Sequence, residues 1–266
     1  MGAAHARNEL PWRFIDDPYA VYVSEVMLQQ TQVSRVLSYW EKWMACYPTI
    51  DALASAANSD VLELWQGLGY NRRALNMKRA AEVVSNELAG VMPRGYRELV
   101  ALPGIGPTTA AGIQAFAYQV PAVYIETNVR TVFIHELFSD GDGTIGDELI
   151  KPLVERTCSV EDPRGWYYAL LDYGHYLKQE HPNPSRRSST YARQSSFEGS
   201  HRQKRSALLR IVLDAGAIGA DQAKDALDDL ERSQGRDALS DDSFASLVDE
   251  LAAEGFFTAS EGLLAM

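Results

Sequence analysis

Residues 102–113 read LPGIGPTTAAGI, and the six residues before them read YRELVA. Two glycines, Gly104 and Gly106, bracket Ile105 just before a helical pattern that Pro107 opens. Glycine permits the tight turn, and proline suits the first helical position. The start of the following helix then presents its free N–H groups and the positive end of its dipole. The spacing predicts a helix–hairpin–helix. Its turn (Leu102, Pro103, Gly104, Ile105, Gly106) with Thr108 and Thr109 would cradle a phosphate, a contact that positions a nucleic acid without reading its sequence. A plain helical corner is the structural alternative.

Working outward, helical periodicity recurs in DVLELWQGLG (60–69) and RALNMKRAAEVVSNELAG (73–90), each closed by glycine, with an N-cap expected at Asn58 or Ser59. Strand signals are almost absent. Residues 18–170 are expected to form eight or nine helices with short connections. The segment HPNPSRRSSTYARQSSFEGS (181–200) is poor in apolar residues and reads as an extended loop. After it come three helical patterns and a terminal apolar ribbon, FFTASEGLLAM. They suggest a small winged-helix-like module over 203–266.

The chain has 266 residues, 46% of them apolar, enough to bury a core without staples. The longest apolar run is far short of a membrane span, and the opening MGAAHARNELPWRF lacks the layout of a secretory signal. Two cysteines, Cys46 and Cys158, give neither a disulfide framework nor metal spacing. A cytosolic protein is the expectation. The net charge of −11 is unevenly distributed, since residues 211–266 hold 13 acids and 3 bases. Between Ser185 and Arg210, by contrast, seven Lys and Arg face one acid, Glu198. That local basic stretch, with Arg186 and Arg187 at its head, favours nucleic acid where the overall charge does not.

Two carboxylates stand out. Glu25 lies within YAVYVSEVMLQQTQV (19–33), among Val23, Val26, Met27 and Leu28. Burial there disfavours the charged form and raises the pKa, as a proton donor requires. A satisfied core glutamate is the bland reading. Glu126 lies in VYIETNVRTVF (123–133), where helical patterning gives no reason for an acid. It is either a solvated residue or the partner of another carboxylate. The stretch DGDGTIGDELIK (140–151) mimics a calcium loop but has Ile145 where glycine is needed and Lys151 where the bidentate glutamate belongs. The five histidines form no ligand pair at useful spacing.

Taken together, DPYAVYVSEVMLQQTQV, LWQGLGYNRRALNMKRAA, LPGIGPTTAAGI and NVRTVF resemble the helix–hairpin–helix (HhH-GPD) DNA glycosylases, and within them the MutY-like adenine glycosylases. The likeness runs in order through residues 9–175. It implies an all-α, two-lobed fold over residues 1–200, with a six-helix lobe at about 18–125 and a second lobe from 1–17 and 126–200. It also implies a base-excision site. Glu25 falls on the family's catalytic acid, Glu126 on a second carboxylate that is nearly always aspartate, and Asn128 on the asparagine two residues later. Gln30 and Tyr70 match residues that enter the DNA helix around a flipped nucleotide. Thr108 stands where bifunctional relatives carry a lysine. A hydroxyl forms no Schiff base, so the resemblance implies a monofunctional enzyme that uses water and leaves an abasic site. A monovalent cation at the hairpin is implied by the family alone.

The chain also departs from that family. The positions of the four iron–sulfur cysteines are Lys178, Ser185, Ser188 and Gln194, so no cluster is expected. Arg186, Arg187 and Arg193 are expected to brace the loop and meet phosphates instead. The acidic module at 203–266 stands in place of a Nudix-like domain, and Asn71 replaces a tyrosine, which leaves the opposite-base preference open. The reading is a monomeric, nucleoid-associated enzyme acting on double-stranded DNA. Adenine opposite 8-oxoguanine or guanine is the first substrate; uracil, hypoxanthine or thymine opposite guanine is the alternative. A lesion-binding protein without catalysis is the rival from another class, and the acidic module is a candidate surface for a protein partner.

Overall fold

The computed structural model describes residues 6–139, 141, 143–193 and 196–266. The first five residues of the amino-terminal segment, Asp140 and Asp142 of the calcium-like stretch, and Gln194 at the fourth cysteine position lie outside the described residues. No helix among the described residues is long and apolar enough to cross a membrane. Contacts divide the chain into two compact units, one of residues 1–50 and 83–193, the other of 51–82 and 194–266.

The first unit is built around α1 (Pro18–Met27), which is apolar on every side and therefore central: Tyr19 to Ser24, Val26 and Met27 are all buried. Asp17 caps it, accepting from the N–H groups of Tyr19 (3.0 Å) and Ala20 (3.3 Å), with Pro18 at the first position. Around it pack α2 (Val33–Cys46), which buries Val36, Trp40 and Trp43 on one face, and the hairpin pair α6 (Tyr96–Ala101) and α7 (Pro107–Phe116). The unit is completed by α8 (Thr127–Leu137), α9 (Asp147–Thr157) and α10 (Pro163–Glu180), of which α8 and α10 lie against each other. A 3-10 turn at Pro11–Phe14 is fastened to α10 by an ion triad. Arg13 grips the buried Asp172 with both terminal nitrogens (2.6 and 2.7 Å), and Arg7 Nε adds a third bond at 2.6 Å.

The second unit holds α3 (Ile50–Ser55), α4 (Asn58–Trp65) and most of α5 (Arg72–Glu87). With them goes the carboxy-terminal module: α11 (His201–Ala215), β1 (Ala217–Gly219), α12 (Ala220–Ser233), α13 (Asp241–Glu254), β2 (Thr258–Ser260) and β3 (Leu263–Ala265). The strands form an antiparallel sheet in the order β1-β3-β2, with Ile218 and Ala259 on either side of the buried Leu264. The module is thus three helices and a small sheet. The module packs with its unit: α11 lies on α4, and Arg79 Nη2 donates to the Glu254 carbonyl at 2.8 Å.

Ten helices lie between residues 18 and 180 of the described chain, against the eight or nine expected. The additional ones include α3 and α6, each six residues long and too short to show a period. The cap of α4 also differs. Asn58 is already helical and Ala57 occupies the N-cap without a side-chain bond.

Candidate active site

Glu25 sits in the last turn of α1, and its carboxyl end reaches α7, where Oε2 lies against Gly112. As a residue Glu25 is half-buried, because part of it faces a pocket, but the carboxyl itself is enclosed by protein. Burial pushes its pKa up to about 8, reinforced by the charge of Glu126 and opposed by a hydrogen bond from the Tyr124 hydroxyl. At neutral pH Glu25 therefore holds its proton.

Glu126 has a structural duty that the sequence did not disclose. It is the N-cap of α8, with Oε1 accepting from the N–H groups of Asn128 (2.5 Å) and Val129 (2.9 Å). Burial outweighs those N–H groups and the charges of Lys178 and Arg130, so its pKa stays above the ordinary carboxylate value. Of the two carboxyls, Glu126 has the donors and the cations that compensate a negative charge, and Glu25 has the deeper hold on a proton. The side-chain amide of Asn128 donates to Glu126 Oε2 at 3.3 Å, and its Oδ1 is buried with no hydrogen-bond partner.

Glu25, Glu126, Asn128, Thr108, Thr109 and Gln30 all line one pocket of about 400 Å³ within the first unit, in the size range of small-molecule sites. Arg7, Arg13 and Trp12 form part of its wall, which ties the Asp172 triad to the site. No lysine lines it among the described residues. Thr109 is buried and receives a hydrogen bond from Gln29 Nε2 (3.1 Å), whereas Thr108 is exposed.

The hairpin forms as predicted. Gly104 takes a left-handed φ of 73° that a side chain would strain, and Ile105 N–H closes the turn onto the Leu102 carbonyl at 3.2 Å. Leu102 and Ile105 are both buried, while Gly104 is exposed. Gln30 and Tyr70 share an unusual feature, a left-handed backbone at φ 54° and 51°. Ala89, Gln119 and Glu261 adopt the same region, so the backbone alone does not single the two out. Tyr70 belongs to the second unit. There its exposed ring lies between the guanidinium groups of Arg73 (5.6 Å) and Arg202 (5.7 Å), and Arg202 Nη1 donates to its hydroxyl at 2.8 Å.

The residues at the cysteine positions do not fit an iron–sulfur cluster. Ser185 is buried and donates to Asn183 Oδ1 (2.7 Å), Ser188 is buried beside Thr190 (2.9 Å), and Lys178 carries a positive charge that the charge of Glu126 favours. Hydrogen bonds stitch the loop instead. Arg187 reaches the carbonyls of Phe138 (2.5 Å) and Gly143 (3.2 Å), and Ile145 N–H donates to the Arg187 carbonyl at 2.7 Å. Arg187 is thus engaged in bracing, and Arg186 is exposed. In the calcium-like stretch, Asp147 is held by a two-bond pair with Arg130 (2.6 and 2.7 Å).

Sequence reasoning missed Tyr124 and Gly112. Tyr124 lies two residues before Glu126 in a non-helical run, and in extended chain that spacing places both side chains on one side. Gly112 stands inside a helix that the sequence marked, where glycine is otherwise a cost.

Comparison with known proteins bears on the family and the fold. Residues 23–159 match the family model of the HhH-GPD superfamily base excision DNA repair proteins. The adenine DNA glycosylase of Buchnera aphidicola is 33% identical over 168 residues, covering 63% of this chain and 48% of the relative. That of Mycolicibacterium smegmatis is 42% identical over 139 residues, 52% of this chain and 47% of the relative. The chain thus spans about half the length of these curated relatives. Among solved structures, a thermostable thymine-DNA glycosylase superposes with a TM-score of 0.56 at 24% identity, over 63% of this chain and 78% of that one. An endonuclease III–DNA complex gives 0.55 at 20%, over 65% and 79%. These two share the fold. With the hairpin formed, the two carboxylates in one pocket and more than half of its length matched by the family model, the chain belongs to the HhH-GPD superfamily of base excision DNA repair proteins.

Proposed function

We propose that the chain is a monofunctional DNA glycosylase that removes adenine mispaired with 8-oxoguanine or guanine. One observation carries this reading: the proton-holding Glu25 and Glu126, the latter held by N–H groups of α8, line the same pocket, and no lysine lines it among the described residues. The relatives reported above, both adenine DNA glycosylases, support the choice of base.

A base inside a duplex must be flipped out to be reached. In the pocket Glu25 gives its proton to the base, so that it leaves as a neutral molecule. Glu126, held by two N–H groups of α8, stabilises the positive charge that develops on the sugar. The unpartnered Oδ1 of Asn128, beside Glu126, accepts a hydrogen bond from the attacking water, whose proton passes to the Glu25 carboxylate left by the first transfer. Thr108 offers a hydroxyl, which forms no Schiff base, so the product is an intact strand with an abasic site. The hairpin turn and the start of α7 hold the DNA backbone. Pro103, Gly104 and Ile105 present carbonyl groups that accept no backbone hydrogen bond among the described residues, a donor set that fits a monovalent cation. Such an ion would add positive charge facing a phosphate.

The test is single-turnover excision on duplexes carrying adenine opposite 8-oxoguanine or guanine, uracil, hypoxanthine, or thymine opposite guanine, each split with and without alkali. Strand breaks only after alkali, on the adenine duplexes, and lost in Glu25→Gln and Glu126→Gln, are the expected result. Binding without excision on every duplex would leave a lesion-binding protein.

A further inference from the structure

The carboxyl of Glu25 rests in a built seat. Gly112 lies in the middle of α7, where glycine destabilises a helix relative to alanine. Its use there has a steric reason. A Cβ at this position would stand 2.3 Å from Glu25 Oε2, 2.9 Å from its Cδ and 3.0 Å from Tyr124 Cε2. The missing methyl group is the space that the carboxyl occupies.

Beside this gap lies the Tyr124 ring, whose hydroxyl favours the ionised form of Glu25. The Tyr124 ring has little freedom. It is buried and edge-on to Phe116 (5.2 Å, 81°) and to Tyr167 (5.3 Å, 83°). Its backbone N–H donates to the Tyr167 hydroxyl at 2.9 Å, and that hydroxyl donates in turn to the Ala122 carbonyl. Phe116 is stacked on Tyr168 at 4.7 Å, with the Arg13 guanidinium 4.5 Å from the centre of the Tyr168 ring. The clamp therefore extends from α7 through the 122–126 run to α10 and the Asp172 triad. An acid held on one face by a glycine gap and by a fixed phenol presents its remaining surface to the pocket in a single orientation.

We propose that Gly112 and Tyr124 are positioning residues that hold the Glu25 carboxyl in its proton-donating orientation, with Gly112 supplying the space and the fixed Tyr124 ring the wall beside it. The inference rests on the reading of Glu25 as the proton donor. The charged and titratable groups that face Glu25 are Glu126 at the start of α8, Tyr124 and Tyr168, with Arg7 and Arg13 in the pocket wall. Among these, the Tyr124 hydroxyl favours the ionised form of Glu25, and burial and Glu126 oppose it. Removing that hydroxyl moves the loss of the proton to higher pH.

The experiment is single-turnover excision against pH for the full chain, Tyr124→Phe, Gly112→Ala and Glu25→Gln on an adenine·8-oxoguanine duplex, with thermal melting in parallel. Tyr124→Phe is expected to melt near the wild type, to lose about tenfold in plateau rate and to shift its alkaline limb upward. Gly112→Ala displaces the flexible end of Glu25 rather than backbone. It is expected to keep its fold and to lose about 100-fold in rate. Wild-type rates and limbs in both variants, with Glu25→Gln inactive, would overturn the seat and leave the donor intact. So would rate losses that track melting losses with the limb unmoved. Absence of excision by the wild type, or full activity of Glu25→Gln, would remove the underlying reading and the seat with it.

Discussion

The charge of Glu126 raises the proton affinity of Glu25 within the pocket that both line. Burial and that charge together hold the proton on Glu25. Because Glu25 holds its proton up to about pH 8, excision is expected to be level through neutral pH and to fall tenfold per pH unit well above 8. Single-turnover rates from pH 6 to 10 check this. A limb already falling near pH 5 would contradict the environment described for Glu25.

The same group leaves a mark on stability. Unfolded, Glu25 ionises near its ordinary value of 4.5; folded, near 8. Between these values the folded chain binds more protons, so the stability contributed by this group is complete below pH 4.5 and is lost as pH rises to about 8. Glu25→Gln removes that slope. Its melting temperature is expected to gain on the wild type steadily from pH 5 to pH 8 and to level beyond, as calorimetry across that range will show.

Glu126 serves the fold and the chemistry together, and substitutions separate the two. Glu126→Ala removes the cap of α8 at a cost of about 1 kcal/mol. Glu126→Gln keeps an acceptor oxygen but no charge, so it is expected to melt closer to the wild type while losing at least about 100-fold in excision. Glu126→Asp retains both features, with a shorter side chain, and is expected to recover most of the rate. Equal activity of the Gln and Asp variants would argue against an electrostatic role.

The hairpin was legible because a proline and two glycines at fixed places act on local backbone, and Glu25 because a charge among valines is conspicuous in any frame. The cap by Glu126 was not, because the helix start at Thr127 carries no apolar period before it, and glutamate is not a favoured capping residue. Tyr124 and Gly112 gain their meaning only when α1, α7 and the 122–126 run come together, a long-range event that no window reports. The three-residue strands of the module escaped for a related reason: β1 is too short to alternate, and its pairing with β3 spans more than 40 residues. The stitching of the 181–193 loop was partly visible, since serines and arginines stand where thiolates were sought, but their carbonyl partners Phe138 and Gly143 lie far back in sequence.

The Asp172 triad is expected to be the most sensitive ionic feature of the first unit. Burial alone would raise the Asp172 carboxyl, but the hydrogen bonds and charges of Arg13 and Arg7 outweigh it and hold the pKa below the usual range. Asp172→Asn leaves Arg13 buried without its counter-charge, and a loss of about 3–5 kcal/mol is expected in chemical denaturation. The stabilisation by wild-type Asp172 is present above the unfolded pKa and is lost as pH falls through the folded one. The gap between wild type and variant therefore narrows in acid.

The carboxy-terminal module is expected to be a structural part of its unit, whatever else binds to it. Leu208, Leu209 and Val212 on α11 are fully buried, as are Val61, Leu62 and Trp65 on α4, and the two helices are in contact. Arg79 and Arg72 on α5 reach the Glu254 carbonyl and carboxylate at 2.8 and 3.8 Å. Deleting residues 203–266 would uncover the face of α4 that α11 covers and remove the Glu254 contacts of α5, and a helix as short as α4 depends on such packing to stay folded. Amide hydrogen exchange across residues 58–82 should therefore rise to near-unprotected rates in the truncated chain. If those amides kept their protection and the chain still excised its base, the module would be an appendage, and its 13 acids over residues 211–266 would then be best explained by a protein partner.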